Sequence, residues 1–385
     1  MEGLLIELLR VSERASSIAR LCRAEKALFE LLVEEKVGSD KNKRFAQDFK
    51  TLADVLIQET FKYYLGGKFP LLRGYICGEE VNTFTNPLGE SVTVEVCATQ
   101  DDTSALLTKV LDGNATAAHL LAKAVHTEVV APELTENVKR LLSETDIDLG
   151  NVGVWIDPLD GTNEYVHGKE TPEEDQHEEK IHAQGLPCVV VLVGAFDRRT
   201  GDPLVGVMTQ PFWKRCPATA LWQGRQAWGM CAAGKRAFSI TPPLKLKVGT
   251  AGRKLVVISR SEDEAIKQLL PQLGFEVVHA AGAGYKALCV VDSLADVYVL
   301  SKGSTYQWDT CGPQAILRAM GGDMVDWSKA LKSGRVTEEE ALKYSVLAGP
   351  AEDHSDKCNS GGVLAFRCHA TAQSICDRST LKGKD

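Results

Sequence analysis

The chain has 385 residues, 44% of them hydrophobic and 25% charged, and a formal net charge of -8, the proportions of a globular protein long enough to bury a large core. The acidic balance excludes nucleic acid as the main partner, because a phosphate backbone rewards a basic surface. The absence of any run of 18 apolar residues argues against a membrane span. Eleven cysteines, an odd number without a C-x-x-C pair, exclude a zinc ribbon or thioredoxin-type motif and suit a reducing compartment. Glu2, Glu7 and Arg10 interrupt the apolar N-terminus, unlike a secretory signal. A cytoplasmic location is the expectation, and no obligate protein partner is called for.

Leu4, Leu5, Leu8, Val11, Ala15, Ile18 and Cys22 recur at helical spacing and predict a first helix. A second is expected over Phe45–Tyr64 and a third over Ser104–Val125. Tyr75–Cys77 and Val92–Cys97 read as short strands. Further strands are expected at Val152–Ile156, Val189–Phe196, Leu204–Met208, Leu255–Ile258 and Val297–Leu300, several of them continuous apolar runs of the kind found in sheets covered on both faces. Helices return at Glu262–Leu270 and Thr310–Met320, and the segment after Lys286 reads as β-like. Lys169–Gln184, acidic and without period, and Thr241–Lys254, rich in Pro, Gly and Lys, read as loops or insertions. Alternating strands and helices predict a layered α/β architecture.

The chemistry concentrates in "VWIDPLDGTNEY", Val154–Tyr165. An apolar strand ending in Asp157 and Asp160 delivers two carboxylates to a sheet edge. They repel unless a cation lies between them, and an oxygen-only ligand set suits a hard ion such as Mg2+. Pro158 stiffens the turn and leaves the Leu159 carbonyl available. Gly161 permits close backbone approach, and amides at Gly161 and Thr162, if they open a helix, form an anion site. Asp160 also has a plainer reading as a helix cap. Other acidic positions repeat the pattern: Glu79 and Glu80 after a strand and a glycine, Asp309 before a helix, and Asp54 among apolar neighbours, where an unpaired charge is costly. "GAGYKA", from Gly282, matches a dinucleotide fingerprint, but Asp292 comes too early for the acidic residue that motif needs. Pro158 stands where a haloacid-dehalogenase-type phosphatase would carry its nucleophilic aspartate.

Gly78–Glu79–Glu80, Asp157–Thr162 and Trp308–Asp309, in that order, resemble the signatures of the lithium-sensitive, Mg2+-dependent phosphatase superfamily of inositol monophosphatase, fructose 1,6-bisphosphatase and the bisphosphate nucleotidases. "DFKTLADVLIQE", "LDGNATAAHLLAKAVH", "GVMTQPF" and "AAGAGYKALCVV" are similar to the branch that removes the 1-phosphate from inositol polyphosphates. The resemblance implies one phosphatase unit over residues 1–385, a stacked α-β-α-β-α sandwich with approximate halves 1–185 and 186–385. It implies hydrolysis of inositol 1,4-bisphosphate and inositol 1,3,4-trisphosphate with two or three Mg2+ ions and inhibition by Li+. Glu79, Asp157 and the Leu159 carbonyl would hold one ion, Asp157, Asp160 and Asp309 a second, and Glu80 would bind a weaker ion or orient its waters. Asp54 would accept a hydrogen bond from the Thr162 hydroxyl, and together they would orient the attacking water. Gly161 and Thr162 would take the scissile phosphate, with Gly282, Ala283 and Lys286 near the inositol ring and its second phosphate. Ser261 and Ser304 match further contact positions. Gly161 stands where that branch usually has serine, and Asp263 where it has a lysine. "DPLDGTNEY" with "WDTCGPQAIL" looks more like a 3'(2'),5'-bisphosphate nucleotidase, which stays open as an alternative, as does a catalytically silent ligand-binding relative.

Overall fold

The computed structural model describes residues 1–24, 33–35, 49–85, 90–168, 180–239, 254–346 and 355–382. The first apolar stripe forms α1 (Glu2–Ala24), with Leu5, Leu8, Val11, Ala15 and Ile18 fully buried. β1 (Val33–Glu35) and β2 (Phe49–Thr51) pair antiparallel and lead into α2 (Leu52–Lys68). That helix starts later than the expected Phe45. The Thr51 hydroxyl accepts from the Asp54 amide at 3.3 Å while the Asp54 carboxylate accepts from the Thr51 amide at 2.7 Å, a reciprocal cap that fixes the first turn. Residues 45–48 lie outside the described residues. The helix expected over Ser104–Val125 is two, α3 (Gln100–Val110) and α4 (Ala115–His126), because Asp112 and Gly113 turn left-handed at φ 50° and 84°. α5 (Glu136–Ser143) follows. The strand expected at Val92–Cys97 is shorter, with β4 (Thr83–Thr85) and β5 (Ser91–Thr93) forming a small hairpin pair.

The first large sheet holds β3 (Ile76–Gly78), β6 (Val152–Asp160), β7 (Val190–Asp197), β8 (Pro203–Arg215), β9 (Trp222–Ala232) and β10 (Lys235–Phe238), in the order β10-β9-β8-β7-β6-β3. Only β3 and β6 run parallel. β6 continues beyond Ile156 to Asp160, buried throughout, with a register shift against β7 between Asp157 and Asp160. Gly161, at φ 88°, then turns the chain into α6 (Thr162–His167).

The second sheet holds β11 (Lys254–Ile258), β12 (Phe275–His279), β13 (Val297–Leu300), β14 (Asp323–Asp326) and β15 (Val363–Phe366), ordered β12-β11-β13-β15-β14. α7 (Glu264–Gln272) packs on β12. α8 (Ala283–Val291) and α9 (Gln307–Ala319) lie between the two sheets, and α10 (Trp327–Ser333) and α11 (His369–Lys382) cover the second sheet's outer face. α1 and α2 cover the first sheet on its other side. The layers therefore run α-β-α-β-α, as expected.

One expectation is corrected here. The β-like segment after Lys286 is helix α8. Its residues from Gly284 to Val291 are all buried, and a helix apolar all round, sandwiched between sheets, has a strand's composition. A division at 185/186 cuts between β6 and β7, adjacent strands of one sheet; the change from first to second sheet falls between Phe238 and Lys254. Of the expected loops, residues 169–179 and 241–253 lie outside the described residues.

α9 joins the layers by close contact. A Cβ on Gly206 of β8 would stand 2.1 Å from the Gly312 carbonyl oxygen, and one on Gly194 of β7 would stand 2.4 Å from the Gly312 amide nitrogen. Bare backbone lets the helix carrying Asp309 lie directly on the sheet carrying Asp157.

Candidate active site

Three carboxylates converge where β6 ends. Asp157, Asp160 and Asp309 each offer an oxygen within 4.8 Å of the others. β6 supplies the first two through its irregular end, where the Leu159 amide donates to Asp157 Oδ1 at 3.1 Å. Asp309 arrives on the first turn of α9, its Oδ2 accepting from the Tyr306 amide at 2.6 Å. Tyr306 and Trp308 stack at 4.5 Å, and Trp308 reaches Trp155 of β6 at 5.6 Å, so aromatic packing ties the Asp309 turn to the strand bearing the other two carboxylates.

The electrostatics are unfavourable without a cation. Burial, then repulsion from Glu79, Asp309, Asp160 and Asp54, holds the Asp157 carboxyl well above the usual carboxylate range. Asp309 is raised the same way, by burial and then by Asp160, against the Tyr306 amide. Asp160 is pushed up to about 6, burial outweighing Lys286 and the amides that face it. Like charges this close cannot all ionise alone. The donors are all oxygen, and among the described residues no sulfur or imidazole joins them, so the residues present fit a hard divalent cation.

The rest of the expected set is gathered around this cluster in part. The Glu79 amide donates to the Ile156 carbonyl at 3.2 Å, so β3 and β6 bring Glu79 beside Asp157. Glu80 is buried, and its backbone is held at both ends by Gln58, whose Oε1 accepts from the Glu80 amide at 2.9 Å and whose Nε2 donates to the Glu80 carbonyl. Sequence reading missed Gln58, although it stands one helical turn after Asp54 on the same face. Asp54 is 1% exposed. Its Oδ2 accepts from the Thr51 hydroxyl at 2.6 Å as well as from the Thr51 amide, so Thr51 is a second missed positioning residue. The Thr162 hydroxyl donates to the Leu159 carbonyl at 3.1 Å and not, as expected, to Asp54.

α8 presents its N-terminus to Asp160. The Ala283 amide donates to Oδ1 at 3.1 Å and the Gly284 amide to Oδ2 at 2.9 Å. Gly282 has φ 72°, and a Cβ there would meet Asp160 Oδ2 at 2.8 Å, which is why the turn is glycine. Lys286 departs from the expectation of an amine reaching out to a bound anion. It is 3% exposed, and Nζ donates back to the Gly282 carbonyl at 2.5 Å. Its pKa is lowered by burial and supported by Asp160. Ser261 and Ser304 sit on the loops after β11 and β13, parallel neighbours whose carboxyl ends share one edge. Lys302 links the two loops: Nζ donates to the Ser261 carbonyl at 2.6 Å and pairs with Asp263 at 3.0 Å, and the Ser304 amide donates to the Lys302 carbonyl at 2.9 Å.

A family model described as inositol monophosphatase family matches residues 77–359, the span that holds Glu79, Asp157, Asp160 and Asp309. The chain belongs to the inositol monophosphatase family. It is 42% identical over 391 residues to the inositol polyphosphate 1-phosphatase of Mus musculus, covering 98% of this chain and 97% of that one. The 3'(2'),5'-bisphosphate nucleotidase 1 of Mus musculus is 30% identical over 218 residues, 55% of this chain and 56% of that one. The fold is shared with the extragenic suppressor protein suhB of Bartonella henselae at 11% identity and a TM-score of 0.51, covering 99% of both chains.

Proposed function

We propose that this family member is an inositol polyphosphate 1-phosphatase, a Mg2+-dependent hydrolase that removes the 1-phosphate from inositol 1,4-bisphosphate and inositol 1,3,4-trisphosphate and is inhibited by Li+. The observation that carries the chemistry is the Asp157–Asp160–Asp309 cluster, two buried carboxylates and a half-buried one with oxygens within 4.8 Å of one another. The substrate follows from relatedness: the likeness to the mouse inositol polyphosphate 1-phosphatase spans nearly the whole of both chains, and that to the nucleotidase about half.

Glu79, Asp157, Asp160, Asp309 and the Leu159 carbonyl are the residues that would hold Mg2+, with Glu80 at its margin. Bound there, Mg2+ makes water nucleophilic near neutral pH and offsets the charge of the transferring phosphoryl group. Asp54 and Thr162 orient the attacking water, and the Gly161 and Thr162 amides take the scissile phosphate. Gly282, Ala283, Lys286, Ser261 and Ser304 form the ring side of the site. No side chain is called on as a covalent nucleophile.

A second reading, a 3'(2'),5'-bisphosphate nucleotidase, is favoured by Gly161 in "DPLDGTNEY". Phosphate release from inositol 1,4-bisphosphate, inositol 1-phosphate and adenosine 3',5'-bisphosphate, measured side by side with Mg2+ and with a chelator, separates the readings. Inositol 1,4-bisphosphate is expected to have the highest kcat/KM, and turnover is expected to vanish with the chelator and to fall with Li+. Preference for the adenosine compound would favour the nucleotidase, and turnover that survives chelation would overturn both.

A further inference from the structure

The parallel strands β12, β11 and β13 lie side by side, so the loops that leave their carboxyl ends share one edge, where sheets of this kind bind ligands. The loop after β12 runs into Gly282, and the amides that follow it hold Asp160. The loop after β13 runs through Ser304 to Tyr306, whose amide holds Asp309. The loop after β11, which carries Ser261, lies between these two. An inositol bisphosphate bound at this edge calls for a cation at the phosphate that is not cleaved. Lys286 is buried and turned inward to the Gly282 carbonyl. Lys302, on the loop after β13, is open to solvent, its side chain 39% exposed. Its Nζ bridges two of the loops, donating to the Ser261 carbonyl at 2.6 Å and pairing with Asp263 at 3.0 Å. Glu262 clamps the same two loops from beneath. It is 3% exposed and accepts from the Ser301 amide at 3.1 Å, from the Ser301 hydroxyl and from the Asp263 amide at 2.9 Å. On the other side of Lys302, a Cβ on Gly303 would stand 2.5 Å from the Ser360 Cα, so the backbone there is packed in place.

We infer that Lys302 is a specificity-determining residue that binds the second phosphate of the substrate, the one that stays on the ring. An ammonium group has three donors; Ser261 and Asp263 take two, and the third is left for the phosphate. Asp263 is 57% exposed, so water screens its charge and the pair does not cancel the amine's attraction for a dianion. The inference rests on the proposed inositol polyphosphate 1-phosphatase function and assigns it the cation that Lys286, turned inward, does not present.

The test is Lys302→Met, which removes the charge and keeps the stem. The full chain is assayed with Mg2+ on inositol 1,4-bisphosphate, and inorganic phosphate, which can fill only the scissile position, is titrated as an inhibitor. In Lys302→Met the KM for inositol 1,4-bisphosphate should rise about tenfold to a hundredfold at an almost unchanged kcat, because the contact is made equally before and during reaction. The inhibition constant of inorganic phosphate should stay at the wild-type value. Lys302→Arg, which keeps the charge, should recover most of the loss. An unchanged KM in Lys302→Met overturns the inference and leaves the proposed function standing. So does a loss that falls on kcat, or that is matched by weaker inhibition by inorganic phosphate, since the amine would then only tie the loops together. A wild type that releases no phosphate from inositol 1,4-bisphosphate overturns the proposed substrate, and the inference with it.

Discussion

Asp54 shows how much one carboxylate is asked to do. It caps its own helix through Thr51 and lies close enough to Asp157 to raise that group's pKa. Asparagine at this position keeps an oxygen for the cap, so Asp54→Asn should fold. It should lose nearly all turnover at an almost unchanged KM, because the charge acts on water in the transition state and not on bound substrate. Retention of half the wild-type kcat would remove Asp54 from the mechanism. Lys286 calls for a different expectation from the one its sequence context suggests. Its Nζ is turned inward to the Gly282 carbonyl and offsets Asp160. A hydrogen bond involving a charged group is worth roughly 1.5–3 kcal/mol, about one to two decades in a rate or binding constant. Lys286→Met should therefore lower kcat/KM by that much on inositol 1,4-bisphosphate and on inositol 1-phosphate alike. A loss confined to the bisphosphate would place the amine on the second phosphate instead. The acidic residues were legible in the sequence because charges at strand ends and beside glycines are costly without a ligand. Gln58 and Thr51 were not, because an uncharged polar residue among apolar neighbours looks the same whether it binds backbone, a carboxylate or nothing.

The elements were legible where a period or an apolar run is strong, and misread where layers override it. α8 read as β-like because burial on all sides erases helical amphipathicity. The break between α3 and α4 turns on the left-handed pair Asp112 and Gly113, which an Ala- and Leu-rich stretch conceals. α9 is the element on which both halves of the site depend. Gly206→Ala would drive a methyl group into the Gly312 carbonyl, and overpacking of this kind costs about 1–3 kcal/mol. Because the displaced helix carries Asp309, the variant should need more Mg2+ for half-maximal activity as well as melting at a lower temperature. Lower stability with an unchanged Mg2+ requirement would show that the helix can shift without moving Asp309. The far end of α9 is held by charge. Arg318 bonds Asp323 at 3.0 Å, Asp202 at 3.0 Å and Glu338 at 2.8 Å, and Lys343 joins Asp202 at 2.6 Å. Burial opposes ionisation of Asp202 and Glu338, yet these cations hold both below their usual values. Groups lowered in the folded state stabilise it above the unfolded pKa and lose that effect as pH falls through the folded one. Thermal unfolding from pH 6 down to pH 3 should therefore show a steeper loss of Tm in wild type than in Arg318→Gln, and parallel curves would mean that the cluster is stabilised by packing alone.

For the whole molecule, the class, the layering and the order of the ligand motifs could be read from the sequence, but not where one sheet gives way to the next. The first sheet runs from β3 to β10 across the acidic segment, and the chain changes sheet only after Phe238. Within the second sheet, β15, from near the end of the chain, lies between β13 and β14 and pairs with both. Contacts between distant parts of a chain form late, because the intervening loop must first be closed. During synthesis every acidic ligand has therefore left the ribosome before the strand that completes the sheet behind Asp309 is made. A nascent chain stopped short of Val363 would carry the full set of ligand residues and leave two unpaired strand edges facing an empty slot, the kind of edge that recruits other chains. A frameshift between the codons of Asp309 and Val363 is thus expected to yield aggregates and not a slow enzyme.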